Sequence, residues 1–186
     1  MSLGDNTFVL SLGGSLVVPN GGIDTEYLKA FNRFIRNQIS SKKRRFFIVV
    51  GGGTVARHYR DAGEAVIGHK ATEIDLDWLG VHATRMNAQL IRTIFQDIAH
   101  PHVIKHYEII RKVEEPVVVA AGWKPGWSTD YDAVVLCQDY GVKEAINLSN
   151  IDQVYTKDPK KFPDAKPITK ISWKEFRKIV GDKFTP

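Results

Sequence analysis

The chain has 186 residues, 43% apolar and 25% charged, a mix that suits a folded globular protein with a sizeable core and argues against disorder. No apolar run approaches the roughly 20 residues of a membrane-spanning helix, and the start of the chain lacks the charged and apolar regions of a secretory signal. The net charge of +5 suits an anionic ligand but is too small and too scattered to indicate nucleic acid. A lone cysteine, Cys137, excludes an internal disulfide and predicts a buried thiol in a reducing compartment.

Residues 8–12 read as a first strand that runs into Gly13-Gly14-Ser15. Asp24 reads as the N-cap of a helix to about Ile39, with Tyr27, Leu28, Phe31, Phe34 and Ile35 at helical spacing. Lys42-Lys43-Arg44-Arg45 follows, and between a helix end and a strand it reads as a solvated turn rather than a nucleic-acid patch. Residues 46–50 form an apolar, β-branched and aromatic run, the mark of a buried parallel strand, which enters Gly51-Gly52-Gly53 and then a helix over about 55–66. From Leu76 the apolar positions Leu79, Ala83, Met86, Leu90 and Ile94 predict a long helix to about Phe95 with one buried stripe. Asp77 stands at its start, where a carboxylate either caps the helix or faces a ligand; capping is the preferred reading from spacing alone. Asn87 reads as a polar residue on the helix flank.

Residues 102–104 read as a minor strand and 107–112 as a helical turn. Residues 117–121 are a further apolar strand, entering a third glycine loop, Gly122 to Asp130, and a helix over about 129–140 with Ala133, Val134 and Cys137 on one side. A strand at 144–148 leads into a polar loop through Asn150, Asp152, Tyr155 and Asp158. The last helix is signalled by a capping box of Ser172 and Glu175, a staple of Ile171 and Phe176, and a terminal Gly181.

Strands alternating with helices, without hairpin dipeptides between them, predict an α/β fold with a parallel sheet and helices on its faces. In such sheets the loops after the strands line one crevice, so the three glycine loops are expected to converge. Bare glycine backbone at a helix start favours an anion, and convergence favours a phosphate cradle over three glycines needed only for packing. No Walker A loop is present. Residues 51–56 match the loose dinucleotide pattern, but Glu73, Asp75 and Asp77 lie at a helix start rather than at the end of a second strand, so that signal is weak. The six histidines show no His-x-x-x-His pair and there is no cysteine cluster, so no protein-built metal site is expected.

Taken together, Leu12-Gly13-Gly14-Ser15, Val49-Val50-Gly51-Gly52-Gly53 with Ala56-Arg57, Asp77-Trp78-Leu79-Gly80 with residues 83–88, Ser128-Thr129-Asp130, and residues 149–159 resemble the amino acid kinase superfamily. Within it, the likeness is to uridylate (UMP) kinases of the archaeal type. The resemblance implies a three-layer αβα sandwich with a mainly parallel central sheet, forming a single domain over 1–186 that lacks the family's C-terminal segment. It implies a cytoplasmic enzyme that uses ATP and Mg²⁺ to convert UMP to UDP, with no nucleic-acid or membrane partner, assembled as a dimer-based homo-oligomer such as a hexamer.

Carried over, the resemblance assigns Gly14 and Ser15 to the ATP phosphates, Gly52 to the UMP phosphate, and Gly53 and Arg57 to the space between the two nucleotides. It turns the preference at Asp77 round, giving that carboxylate to the UMP nucleoside. Gly122, Trp123, Lys124, Pro125, Gly126, Trp127 and Ser128 would wrap UMP, Thr129 and Asp130 would stand with Arg57 at the transferred phosphoryl group, and Ser149, Asn150, Tyr155 and Asp158 would line the ATP base and ribose. Three positions depart from family patterns: Ser11 and Asn147 stand where many relatives carry lysines, and Gln153 replaces a turn glycine. The chain stops at Pro186, before the family's last ATP-side loop, helix and strands, which predicts a fold that survives with an exposed sheet edge or apolar patch and catalysis that is weak or lost. Two alternatives stand beside the UMP reading: a sister kinase acting on another small phosphate or carboxylate, and a nucleotide- or anion-binding protein without turnover.

Overall fold

Side chains alternate across a strand, and here both faces of each central strand are apolar, so the sheet must be covered twice. The structure is a computed structural model that describes residues 6–181 apart from Glu108 and Arg111. In chain order the elements are β1 (Thr7–Leu12), α1 (Gly14–Val17), α2 (Thr25–Lys42), β2 (Arg45–Val50), α3 (Gly53–Val66), α4 (Glu73–Ile94), β3 (Val117–Ala121), α5 (Thr129–Tyr140), β4 (Ala145–Leu148), β5 (Val154–Tyr155), β6 (Pro167–Ile168) and α6 (Trp173–Val180). Strands β1 to β4 form one parallel sheet in the order β3-β2-β1-β4. Leu12 lies opposite both Val50 and Leu148, and Val50 lies opposite Ala121, so all four strands end at the same level.

Leu10, Leu12, Ile48, Val50, Val119 and Ala121 face a core shared with α1, α2 and α4. Val9, Phe47, Val49, Val118 and Ala120 face the opposite way, onto α5 and the stretch around Tyr107 and Val113. The result is the three-layer αβα sandwich expected, with α3 packed outside on α4.

Local signals explain most boundaries. The Asp24 carboxylate accepts from Tyr27 N–H at 2.9 Å, and α2 buries Leu28, Phe31 and Ile35 while Phe34 turns outward. The helix ends at Lys43, whose left-handed conformation (φ 53°) lets its N–H reach Ile39 O. Arg44 lies over the Phe8 ring at 5.0 Å, so the basic stretch is a turn packed on the fold. At the other end of the chain, Ser172 and Glu175 form the reciprocal capping box of α6.

Several expectations are corrected. Thr72, not Asp77, caps α4, accepting from Asp75 N–H at 3.1 Å, so the helix begins at Glu73. Its buried stripe runs through Leu76, Ala83, Thr84, Asn87, Ala88 and Ile91, and Met86 is 72% exposed. The apolar positions alone misplace that stripe because two polar residues belong to it. In α5 the buried face holds Asp132, Ala133, Leu136 and Tyr140; Cys137 is half-buried, and burial pushes its thiol up. Residues 102–104 make only a parallel bridge, Ile104 to Ala120, rather than a strand. Tyr107 and Ile109 are bends, not helix, and Glu108 and Arg111 of that expected turn lie outside the described residues. The antiparallel pair β5 and β6 has two residues per strand, too few to leave a periodic signal. At the β4 edge Ile146 is exposed, and α6 leaves Trp173 exposed.

Phe95 is fully buried, its ring meeting Phe31 edge-on at 6.2 Å beneath the Arg36 guanidinium. Phe95→Ala is expected to cost about 3–5 kcal/mol, read as a lowered urea midpoint; an unchanged midpoint would show that this layer is not the core.

Candidate active site

Two glycine loops meet through their backbones. Glycine is required here by contact: a Cβ on Gly14 would fall 2.6 Å from the Gly51 carbonyl carbon and closer still to Gly53 N. Gly53 also has φ +65°, a conformation that L side chains rarely adopt. Thr54 fastens the loops, its N–H donating to Val18 O at 3.2 Å and its hydroxyl to Pro19 O at 2.6 Å. From α4, the buried Asn87 side chain donates to Gly51 O at 2.9 Å and Gly52 O at 3.0 Å. Two carbonyls are thereby tied back into the protein. Asn87 is therefore no flank residue. Gly13 N–H donates to Leu148 O at 2.9 Å, which brings Ser149 to the rim of the same cradle.

Asp130 stands in the first turn of α5, above the end of β1. Ser11 Oγ donates to its Oδ1 at 2.6 Å and Asn147 Nδ2 to the same oxygen at 3.2 Å. These are the two positions at which the sequence departs from patterns with lysine. Both donors are neutral, so they orient the carboxylate without cancelling its charge. Ser128 caps α5 by accepting from Tyr131 N–H at 3.1 Å, leaving Thr129 and Asp130 at the positive end of the helix.

The third loop is anchored at its root by side chains from three directions. Thr84 Oγ1 accepts from Gly122 N–H at 2.8 Å, Arg85 donates to Trp123 O at 2.8 Å and Gly122 O at 3.4 Å, and Tyr107 donates to Ala121 O at 2.8 Å. At the tip, Asp77 Oδ2 accepts from Gly126 N–H at 2.6 Å. The carboxylate thus faces the loop instead of its own helix end. Trp123, Trp127 and Tyr131 pack edge to face at 4.5 Å steps, and Lys124 Nζ lies 3.8 Å from the Trp123 ring centre. Pro125 lies in the same loop, half-buried.

The amino acid kinase family model matches residues 6–185, nearly the whole chain. The chain belongs to the amino acid kinase family. Among curated members it is 32% identical to the uridylate kinase of Staphylothermus marinus, over 97% of this chain and 78% of that protein. The solved uridylate kinase of Archaeoglobus fulgidus superposes with a TM-score of 0.75 at 31% identity, covering 94% of this chain and 77% of that one. The UMP kinase of Ureaplasma parvum shares the fold, with a TM-score of 0.69 at 18% identity over 96% of this chain and 81% of that one.

Within the family fold, not every expected residue is gathered at the cradle. Ser15 lies beside Gly14 in α1 and Gly52 beside Thr84, whose methyl group would be 3.6 Å from a Cβ there. Arg57 donates to Thr54 Oγ1 at 2.8 Å from an exposed position on α3. Asn150 follows Ser149 in an exposed turn, Tyr155 belongs to the separate β5–β6 pair, and Asp158 accepts from Lys160 N–H at 2.9 Å within its own turn. Among the described residues no hydrogen bond ties these three to the glycine loops.

Spacing also gave no warning of Asp132. It is completely buried among Tyr107, Trp123 and the apolar face of α5, and neither carboxylate oxygen has a hydrogen-bond partner. Burial pushes its pKa up to about 7.

Two predictions follow from this geometry. Gly14→Ala forces backbone against backbone and is expected to lower stability by about 2–4 kcal/mol, read by urea denaturation; a neutral result would show that the loops do not touch. For Asp132 the folded value lies above the unfolded one, so the folded state holds the extra proton. Its contribution is greatest below about pH 4 and is lost as pH rises towards 7. Asp132→Asn should match wild type near pH 4 and exceed it by about 3–4 kcal/mol near pH 8. A difference that does not change with pH would mean that Asp132 is ionised throughout.

Proposed function

We propose that this chain is an ATP-dependent kinase that phosphorylates UMP to UDP. The observation that carries this is the joining of Gly14 to Gly51 and Gly53, backbone on backbone, within a fold that matches uridylate kinases at 31–36% identity over most of the chain. Two glycine loops in contact provide two neighbouring anion cradles, which is what transfer between two phosphates requires.

In this reading Gly14 and Ser15 hold the ATP phosphates, Gly52 takes the UMP phosphate, and Gly53 and Arg57 lie between them. Asp77 and the loop from Gly122 to Ser128 enclose the UMP nucleoside; the bond from Asp77 to Gly126 N–H supports this, since it draws the loop over α4. Ser149, Asn150, Tyr155 and Asp158 line the ATP base and ribose, and Ser149 has the best support because it adjoins Gly13. The acceptor phosphate is already an anion, so the protein need not remove a proton; it aligns the two phosphates and spreads the charge of the transferred group. Thr129 and the helix start of α5 face that group.

Mg²⁺ fits this donor set through ATP rather than through a protein cage. Among the described residues no three histidine, cysteine or acidic side chains cluster as a metal site, whereas Asp130 offers one hard carboxylate oriented by neutral donors. When bound, the ion would neutralise phosphate charge. Asp130 holds its place for that ion and does not act as a base.

The protein is further read as a single domain that works in the cytoplasm as a dimer-based homo-oligomer, without nucleic-acid or membrane partners. Support for assembly comes from Tyr59, Val66 and Ile74, exposed on adjoining helices α3 and α4. No helix among the described residues is long and apolar enough to cross a membrane.

A coupled ADP-release assay with UMP, CMP and acetylglutamate tests the reading. Turnover is expected with UMP, and Asp130→Asn should lower kcat by about 100-fold or more. Turnover with acetylglutamate alone would identify a sister kinase, stabilisation by UMP without turnover a binding protein, and near wild-type activity of the variant would exclude the role of Asp130.

A further inference from the structure

Along α4, next to the root of the third glycine loop, lies a second polar pocket, of about 380 Å³. His82, Arg85 and Gln89 stand three and four residues apart on α4 and share one stripe. His102 and Lys105 face them from the segment that follows Pro101. Two features fix that segment: Ile104 bridges to Ala120 of β3, and His102 N–H donates to Nδ1 of the buried His100 ring at 3.2 Å. The pocket is thus lined by a guanidinium, an ammonium, two imidazoles and an amide, with no carboxylate among the described lining residues. One turn further along the stripe, Arg92 Nε is buried without a partner, adding to the positive field.

We propose that this pocket is a second anion site, for a phosphate-bearing small molecule, and that Arg85 couples it to the loop beginning at Gly122. Arg85 is the shared member. Its Nε and Nη2 hold the carbonyls of Gly122 and Trp123, while its Nη1 makes no hydrogen bond among the described residues and the side chain lines the pocket. A phosphate oxygen bound by Arg85 and Lys105 pairs full opposite charges in addition to the hydrogen bonds, whereas the carbonyls offer the guanidinium only a dipole. Occupation therefore draws the guanidinium towards the anion and releases the loop root, where Thr84 and Tyr107 remain as anchors. The binding half of the inference does not depend on which acceptor that loop encloses; the coupling half rests on the loop's place in the proposed active site.

Sodium tripolyphosphate, titrated into the whole chain, serves as the probe. Carbon-proton spectra of the His82 and His102 imidazoles and of the Trp123 indole separate this pocket from the glycine cradle. Both imidazoles are expected to shift with half-saturation near 1 mM or tighter, at about that order, and the Trp123 indole should move in parallel. Lys105→Glu, at an exposed position outside the proposed machinery, should weaken the response by about tenfold or more. Absence of a saturable shift, or the same half-saturation in Lys105→Glu, overturns the site. Imidazole shifts with a static Trp123 overturn the coupling. Should UMP turnover fail while the imidazoles still respond, the kinase reading falls and the anion site stands.

Discussion

Backbone lies directly on backbone where Gly14 meets Gly51 and Gly53, and the remainder of the rim is arranged around that contact. It requires the ends of β1 and β2 to be level, which the parallel register ensures by setting Leu12 opposite Val50. It also leaves the loops with carbonyls that need partners inside the protein, and Asn87 supplies them from the middle of α4. A polar side chain in a buried helical stripe is costly unless its donors are used, and here both uses are visible. The cradle and the core are therefore one structure: the helix that covers the sheet also ties the phosphate loop.

Two aspartates two residues apart in α5 show how burial separates the behaviour of identical groups. Asp130 is exposed at the helix start, oriented by Ser11 and Asn147, and its charge stays available to a cation. Asp132 points into the apolar layer beneath Trp123, where desolvation lifts it to about 7. The neutral residues at 11 and 147 take on meaning only beside Asp130. A chain with cations at those positions would pair the carboxylate internally, whereas neutral donors hold it in place and leave its charge uncompensated by those partners.

The loop from Gly122 to Ser128 links these parts. Its root is held by Thr84, Arg85 and Tyr107, its tip by Asp77, and its aromatic residues pack on one another, with Trp123 also resting on the core at Tyr107. Such a segment is supported at both ends, an arrangement suited to covering a ligand. Arg85 is the one anchor that also reaches a second polar pocket, so the loop's hold can respond to what binds there.

Local order carried much of this protein in plain view. The central apolar strands, the parallel sheet, the caps at Asp24 and Ser172 and the convergence of the glycine loops follow from short-range periodicity and turn chemistry, which act within a few residues. Tertiary structure alone decided which polar residues were interior. Asn87, Asp132 and the Asp77 contact with Gly126 depend on groups 35 or more residues away, or on burial beneath another segment, and no spacing rule carries that information. Met86 lies outside the core for the same reason, whereas the cap of α4 at Thr72 is a local contact with Asp75 N–H. A helix settles its rotation by what its neighbours need as well as by its own apolar residues, and here the neighbour was a glycine loop in want of donors.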